Sequence, residues 1–184
     1  MSWARSRSAS WAWATWARRW PLDCSRLGSR VLYADVVEKS FAGMERVSFD
    51  DLLELANVVC VHVPLNEETH HLIDAKALTR MPKGGYLINA SRGPVVDENA
   101  LVAALESRHL GGAGLDVFEH EPTPADNPLR RMENVFLSPH VAGATLEAEA
   151  RGLEVVRDNL TRVLAGGEPS NVVNGVRLGA RLRR

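Results

Sequence analysis

The chain has 184 residues, 45% of them apolar, and a formal net charge of −1. This length holds a domain with a real core. The balanced charge predicts neither a nucleic-acid nor a membrane partner, and no apolar run reaches the ~18 residues of a membrane span. Cys24 and Cys60 match neither a disulfide framework nor a metal-ligand spacing, so no metal site and a reducing, cytoplasmic setting are expected.

In chain order, the first 27 residues stand apart. All five tryptophans lie here, at positions 3, 11, 13, 16 and 20, and no glycine precedes Gly28. From Arg30 onward, strand-like and helix-like stretches alternate at βαβ spacing. Val31-Leu32-Tyr33 leads to Asp35, and Val58 to Val63 leads to Pro64. Tyr86 to Ile88, Gly112 to Leu115 and Val135 to Leu137 read as further buried strands. Ser48 is placed to cap a helix over Phe49 to Ala56, and Asp97 one over Glu98 to Ser107. Thr145 starts a long helix that Gly166-Gly167 ends near Ala165. The segment from Asn171 to Gly175 reads as extended and the last four residues as frayed. The alternation predicts an α/β fold, a doubly wound parallel sheet with five legible strands and both faces covered.

Three loops follow three of these strands: Asn89-Ala90-Ser91-Arg92-Gly93, Asp116 to Pro122, and Ser138-Pro139-His140. Ligands in such sheets sit at the carboxyl ends of the strands. An arginine, a glutamate and a histidine therefore arrive at one rim: an anion anchor, a carboxylate partner and a proton carrier.

A doubly wound fold should open with a strand and a glycine-rich turn. The codons of Trp11 to Ala17 must run TGG GCN TGG GCN ACN TGG GCN. Read one base later they give Gly-x-Gly-x-x-Gly whatever the free bases are, which is the dinucleotide fingerprint. It falls about 20 residues before Asp35, where the ribose-binding acid belongs. Residues 19–24 read two bases late permit Val-Ala-x-Arg-Leu, a weaker step because several codons are free. Two readings of residues 1–27 stand: a frame-shifted first βα unit, which the codons favour, and a native tryptophan-rich interface patch.

From about Gly28 to Asn174 the chain resembles the NAD-binding domain of the D-isomer-specific 2-hydroxyacid dehydrogenases. The resemblance rests on Arg30 to Asp35, Val61 to Leu65, His70 to Ile73, Met81 to Gly85, Leu87 to Gly93, Val96-Asp97, Gly114 to Phe118, Glu121-Pro122 and Ser138 to Thr145, in family order and spacing. It implies a Rossmann-like domain over residues 28–168. An aberrant segment, 1–27, would precede it. Residues 169–184 would return toward a substrate domain that has no counterpart in the chain.

Carried over residue by residue, Arg92 would grip the substrate carboxylate with its guanidinium fork. His140 would exchange the proton on the substrate oxygen, and Glu121 would hold the other imidazole nitrogen. Glu119 is the rival for that last role; Glu121 precedes proline, as the family glutamate does. Asp35 would bind the adenosine ribose, or else cap a helix. With no arginine in the next several residues, NAD is expected rather than NADP. Asp116 would contact the nicotinamide side. Val63, Pro64, Ala90 and Ser91 would present cofactor-facing backbone, and Arg92, His140 and Gly143 would complete the cofactor contacts. The implied protein is an NAD-dependent homodimer acting on small 2-keto or 2-hydroxy acids. The competing reading is a non-catalytic nucleotide-binding or dimerising relative, favoured by the missing glycine turn.

Overall fold

A computed structural model of the chain describes residues 7–12, 28–36 and 43–172. Of the proposed glycine turn, residues 11 and 12 are described, as the end of a strand, and residues 13–16 are not. Asn171, expected to be extended, has a left-handed φ of 63°, and residues 19–24, 173–175 and the C-terminal four lie outside the described residues.

Among the described residues, seven parallel strands form one sheet in the order β3-β2-β1-β4-β5-β6-β7. They are β1 (Arg7–Ala12), β2 (Arg30–Tyr33), β3 (Met44–Arg46), β4 (Val58–His62), β5 (Gly85–Asn89), β6 (Leu110–Leu115) and β7 (Val135–Leu137). Five of these are the expected strands. The sixth, β3, is three residues long with mostly exposed side chains, so it carries no apolar run to read. The seventh, β1, lies within the tryptophan-rich segment and pairs with β2 on one side and β4 on the other. The strand order reverses direction about β1, which makes its carboxyl end the switch point where such sheets bind ligands.

Helices α1 (Phe49–Leu55), α2 (Ala75–Arg80) and α3 (Glu98–Glu106) connect successive strands, and α2 packs against both α1 and α3. Each starts at a side-chain cap: Ser48 accepts from Asp51 N–H, Asp74 from Ala77 N–H and Asp97 from Ala100 N–H. Such caps contribute about 1 kcal/mol each. Helix α2, six residues long, is too short for a helical period to show in the sequence. Leu52, Leu53, Leu78, Leu101 and Leu105 pack from the helices onto Leu32, Val59, Leu87 and Leu110 of the sheet, all at most 1% exposed. Fully burying each such side chain stabilises by roughly 1.5–3 kcal/mol.

The chain divides into two compact units, residues 1–140 and 141–184. The second contains α4 (Leu146–Leu164), capped by Thr145 Oγ1 accepting from Ala148 N–H at 3.1 Å. Glu147 and Glu149 lie in its first turn, where carboxylates complement the helix dipole. Gly166, at φ 77°, ends it in the left-handed conformation that glycine adopts without steric cost. No residue of α4 is buried; Leu153, Val156 and Leu160 are among its exposed apolar side chains. Among the described residues no helix is long and apolar enough to cross a membrane.

Candidate active site

Register aligns the rim. Val61 of β4 pairs with Asn89 of β5, Asn89 with Leu115 of β6, and Leu115 with Leu137 of β7. The loops holding Val63-Pro64, Ala90 to Arg92, Asp116 to Glu121 and Ser138 to His140 therefore all leave the sheet at one level.

The loop after β5 is built by Asn89, which is 1% exposed. Its Oδ1 accepts from Ser91 N–H at 3.0 Å and Ser91 Oγ at 2.8 Å, and its Nδ2 donates to Arg92 O at 2.9 Å. One amide thus satisfies three polar groups that leave the sheet ladder, and it curls the chain so that Arg92 emerges exposed. Arg92 Nη1 donates to Ser91 O at 2.6 Å. This anchors one end of the fork and leaves further guanidinium donors for an anion. Asn89 was legible as part of the motif, but nothing in its residue type announced the loop-building role.

Glu121 and His140 meet as expected. His140 Nδ1 lies 2.8 Å from Glu121 Oε2, while Glu121 Oε1 accepts from Phe118 N–H at 3.0 Å. The hydrogen bond from His140 holds the Glu121 carboxyl below the usual glutamate range; it outweighs the opposing effect of desolvation, and the bond from Phe118 adds to it. An ionised Glu121 can only accept, so Nδ1 carries the hydrogen and Nε2 is left to exchange a proton. His140 sits at φ 55°, a left-handed conformation that costs a non-glycine residue of order 1 kcal/mol. Glu119 does not compete for this histidine: its carboxylate pairs with His71, Nε2 to Oε1 at 2.6 Å.

Asp116, 6% exposed, accepts from Ser138 Oγ at 2.6 Å, joining the ends of β6 and β7. Pro64 O accepts from Thr69 Oγ1 at 2.7 Å. Gly143 lies in the second unit, in the turn before α4, where its carbonyl accepts from Thr145 N–H at 3.1 Å. Among the described residues no hydrogen bond joins Arg92 to Glu121 or His140, and no three His, Cys, Asp or Glu residues gather as metal ligands.

At the carboxyl end of β2 a cavity of about 640 Å³ is lined by Asp35, Val36, Arg46, Ser48, Phe49 and neighbours. Arg46 pairs with Tyr33 across β3 and β2, and its Nη2 donates to Asp35 O at 3.2 Å. An acid and an arginine beside an aromatic ring suit an adenosine with its ribose hydroxyls. The arginine arrives from a neighbouring strand, which a search of the residues following Asp35 misses. Residues 13–16, which would hold a pyrophosphate, lie outside the described residues.

Set against known proteins, residues 17–142 match the family described as D-isomer specific 2-hydroxyacid dehydrogenase, NAD binding domain. A glyoxylate reductase of Thermofilum pendens is 47% identical over 150 residues, which are 79% of this chain and 44% of that protein. A D-isomer specific 2-hydroxyacid dehydrogenase from Xanthobacter autotrophicus, solved with NADPH and MES, superposes with a TM-score of 0.82 at 32% identity, covering 98% of this chain and 74% of that one. A D-lactate dehydrogenase with NAD+ from Lactobacillus jensenii gives 0.88 at 27%, covering 95% and 57%. The fold defines a Rossmann-like nucleotide-binding domain. The chain belongs to the D-isomer specific 2-hydroxyacid dehydrogenases, through their NAD-binding domain. It spans less than half the length of the curated relatives it matches first.

Proposed function

We propose that the chain supplies the cofactor-binding and proton-transferring part of an NAD-dependent dehydrogenase that interconverts a D-2-hydroxy acid and its 2-keto acid. The observation that carries this reading is the Glu121–His140 pair at 2.8 Å. Glu121 fixes the tautomer and orientation of the imidazole, and Nε2 gives a proton to the C2 oxygen of the keto acid or takes it back from the alcohol. Arg92 holds the substrate carboxylate. A bound nicotinamide supplies or receives the hydride at C2. Asp35 binds the ribose diol and its charge favours NAD, while Arg46, which donates to Asp35 O in the same cavity, is placed to meet the 2′-phosphate of NADP; titration with both cofactors decides between them. Val63, Pro64, Ala90, Ser91 and Asp116 complete the cofactor surface.

A small 2-keto acid of the glyoxylate class is the first substrate to test, because several relatives are named glyoxylate or glyoxylate/hydroxypyruvate reductases. We place the protein in the cytoplasm, consistent with the buried thiol of Cys60. We assign it a homodimer in which the exposed apolar residues of α4 are covered; sedimentation showing a monomer at micromolar concentration would refute that.

Residues 1–27 we take as a frame-shifted βα unit, on the codon arithmetic of Trp11 to Ala17. The family match begins at residue 17, so residues 17–27 match in the printed frame and the shift is supported only over the residues before them. Resequencing the DNA over these codons tests it directly.

The second reading, a non-catalytic nucleotide-binding or dimerising relative, is favoured by the absence of glycine at positions 11–16. Calorimetry with NADH separates the possibilities. The 184-residue chain should bind weakly or not at all, and restoring Gly-x-Gly-x-x-Gly should recover binding. Joined to a family substrate domain, the restored chain should oxidise NADH with glyoxylate. Binding without turnover in that fusion would support the second reading, and micromolar affinity in the unaltered chain would refute the frame shift.

A further inference from the structure

Glu119 and His71 have no part in the proton transfer just described, yet their contacts converge on the loop that carries Glu121. Glu119 Oε1 takes the His71 Nε2 contact at 2.6 Å and also accepts from the Glu98 N–H, the first of α3, at 3.2 Å. The Glu119 N–H donates back to Glu98 Oε2 at 3.1 Å, and Glu98 Oε1 accepts from Asn127 Nδ2 at 2.6 Å. The Glu119 side chain is 18% exposed and that of His71 38%, so the pair is shielded more than a surface ion pair. His71 is itself held at φ 51°, its N–H donating to Pro94 O at 2.8 Å, and Ile73 pairs with Val96 beside it. The far side of the same loop is closed by Gly93, whose Cα faces the Phe118–Glu119 peptide with no room for a Cβ.

We infer that His71, Glu119 and Glu98 form a latch whose task is to position the Glu121–His140 pair, with His71 and Glu119 as positioning residues. The chain from Phe118 to Glu121 is three peptide bonds long. Its Phe118 N–H already binds Glu121, so a loop pinned at Glu119 leaves Glu121 little freedom to turn from His140. Carboxylate pairing at a helix N-terminus stabilises through both hydrogen bonding and the helix dipole. Through His71 N–H to Pro94 O and the Glu119–Glu98 bonds, the latch also ties the segment that follows the Arg92 loop to the loop that carries Glu121. The latch rests on the reading of Glu121 and His140 as a functional pair, and its test is therefore spectroscopic rather than kinetic.

In the 184-residue chain, 15N NMR of the His140 imidazole at alkaline pH reports which nitrogen carries the hydrogen, and 13C NMR of Glu121 reports its titration. The unaltered chain should show the Nδ1–H tautomer and a lowered Glu121 midpoint. In Glu119→Ala and His71→Leu, His140 should lose that preference and the Glu121 midpoint should move back toward the ordinary carboxylate range. His71→Gln, which keeps a donor near the Nε2 position, should restore both signals and keeps the test open where the larger changes unfold the chain. Folded variants with His140 and Glu121 signals unchanged, or His71→Gln behaving like His71→Leu, would overturn the latch while leaving the pair intact. An unaltered chain lacking the Nδ1–H tautomer would overturn the pair, and with it the latch.

Discussion

Gly93 approaches Phe118 so closely that a Cβ on Gly93 would lie 1.8 Å from the Phe118 carbonyl oxygen. The obstacle is backbone, which cannot rotate aside as a side chain would. Gly93→Ala must push apart the loop that carries Arg92 and the loop that carries Glu121. Overpacking typically costs 1–3 kcal/mol, and we expect a loss of at least about 2 kcal/mol in a urea titration. An unchanged midpoint would mean that the two loops do not touch in solution.

Glu121 gives stability a pH dependence of known sign. Its folded pKa is lowered, chiefly by the hydrogen bond from His140. The stabilisation is therefore present above the unfolded glutamate pKa and lost as pH falls through the lowered folded value. The side chain is 37% exposed, so solvent screening keeps the effect within the ~1 kcal/mol of partly exposed pairs. Glu121→Gln should remove it. The difference in stability between the two proteins should exist at neutral pH and vanish in acid; a difference that grows with acidity would contradict the pairing.

His62 acts over a different window. Burial lowers its pKa from 6.5 to about 4. Between these values the unfolded chain takes up a proton that the folded chain refuses, so this residue makes stability fall as pH drops from about 6.5 to about 4. His62→Leu should flatten that part of the stability curve by roughly 1–3 kcal/mol. Parallel curves for the two proteins over this range would show that His62 is solvated.

In a full-length protein with the glycine turn restored, His140→Ala should lower kcat by roughly 10²–10⁴-fold, the span of a lost general acid, with little change in NADH affinity. Turnover reduced less than about threefold would remove His140 from the proton-transfer role.

Arg92→Ala in the same protein should mainly raise KM for the keto acid. Arg92→Lys should not rescue it, because an ammonium lacks the two-bond fork. Recovery by lysine would reduce the role of Arg92 to that of a point charge.

Much of this arrangement was legible in the sequence because it is local. Asp97 and Thr145 cap the helices that their residue types and the following periodicity announce, and the strands ending at Asn89, Leu115 and Leu137 are short apolar runs. Glu121 was separable from Glu119 by the proline after it. What stayed hidden depends on contacts between segments far apart in the chain. The His71–Glu119 bond spans 48 positions. Arg46 reaches Asp35 from a strand too short and too exposed to read. The first strand was obscured for a different reason. Parallel pairing is made by the backbone, so Arg7–Ala12 can take its place between β2 and β4 whatever side chains that stretch encodes.

The position of β1 also governs how the sheet can fail. Among the described residues it alone joins β2 and β3 to the four strands from β4 to β7. A chain shortened to begin after Ala12 would keep both sets but expose β2 and β4 as two raw edges, each with a row of unsatisfied N–H and C=O groups. Open edges of this kind template pairing with other chains. Such a truncation should therefore produce self-association and insoluble material rather than a smaller folded domain.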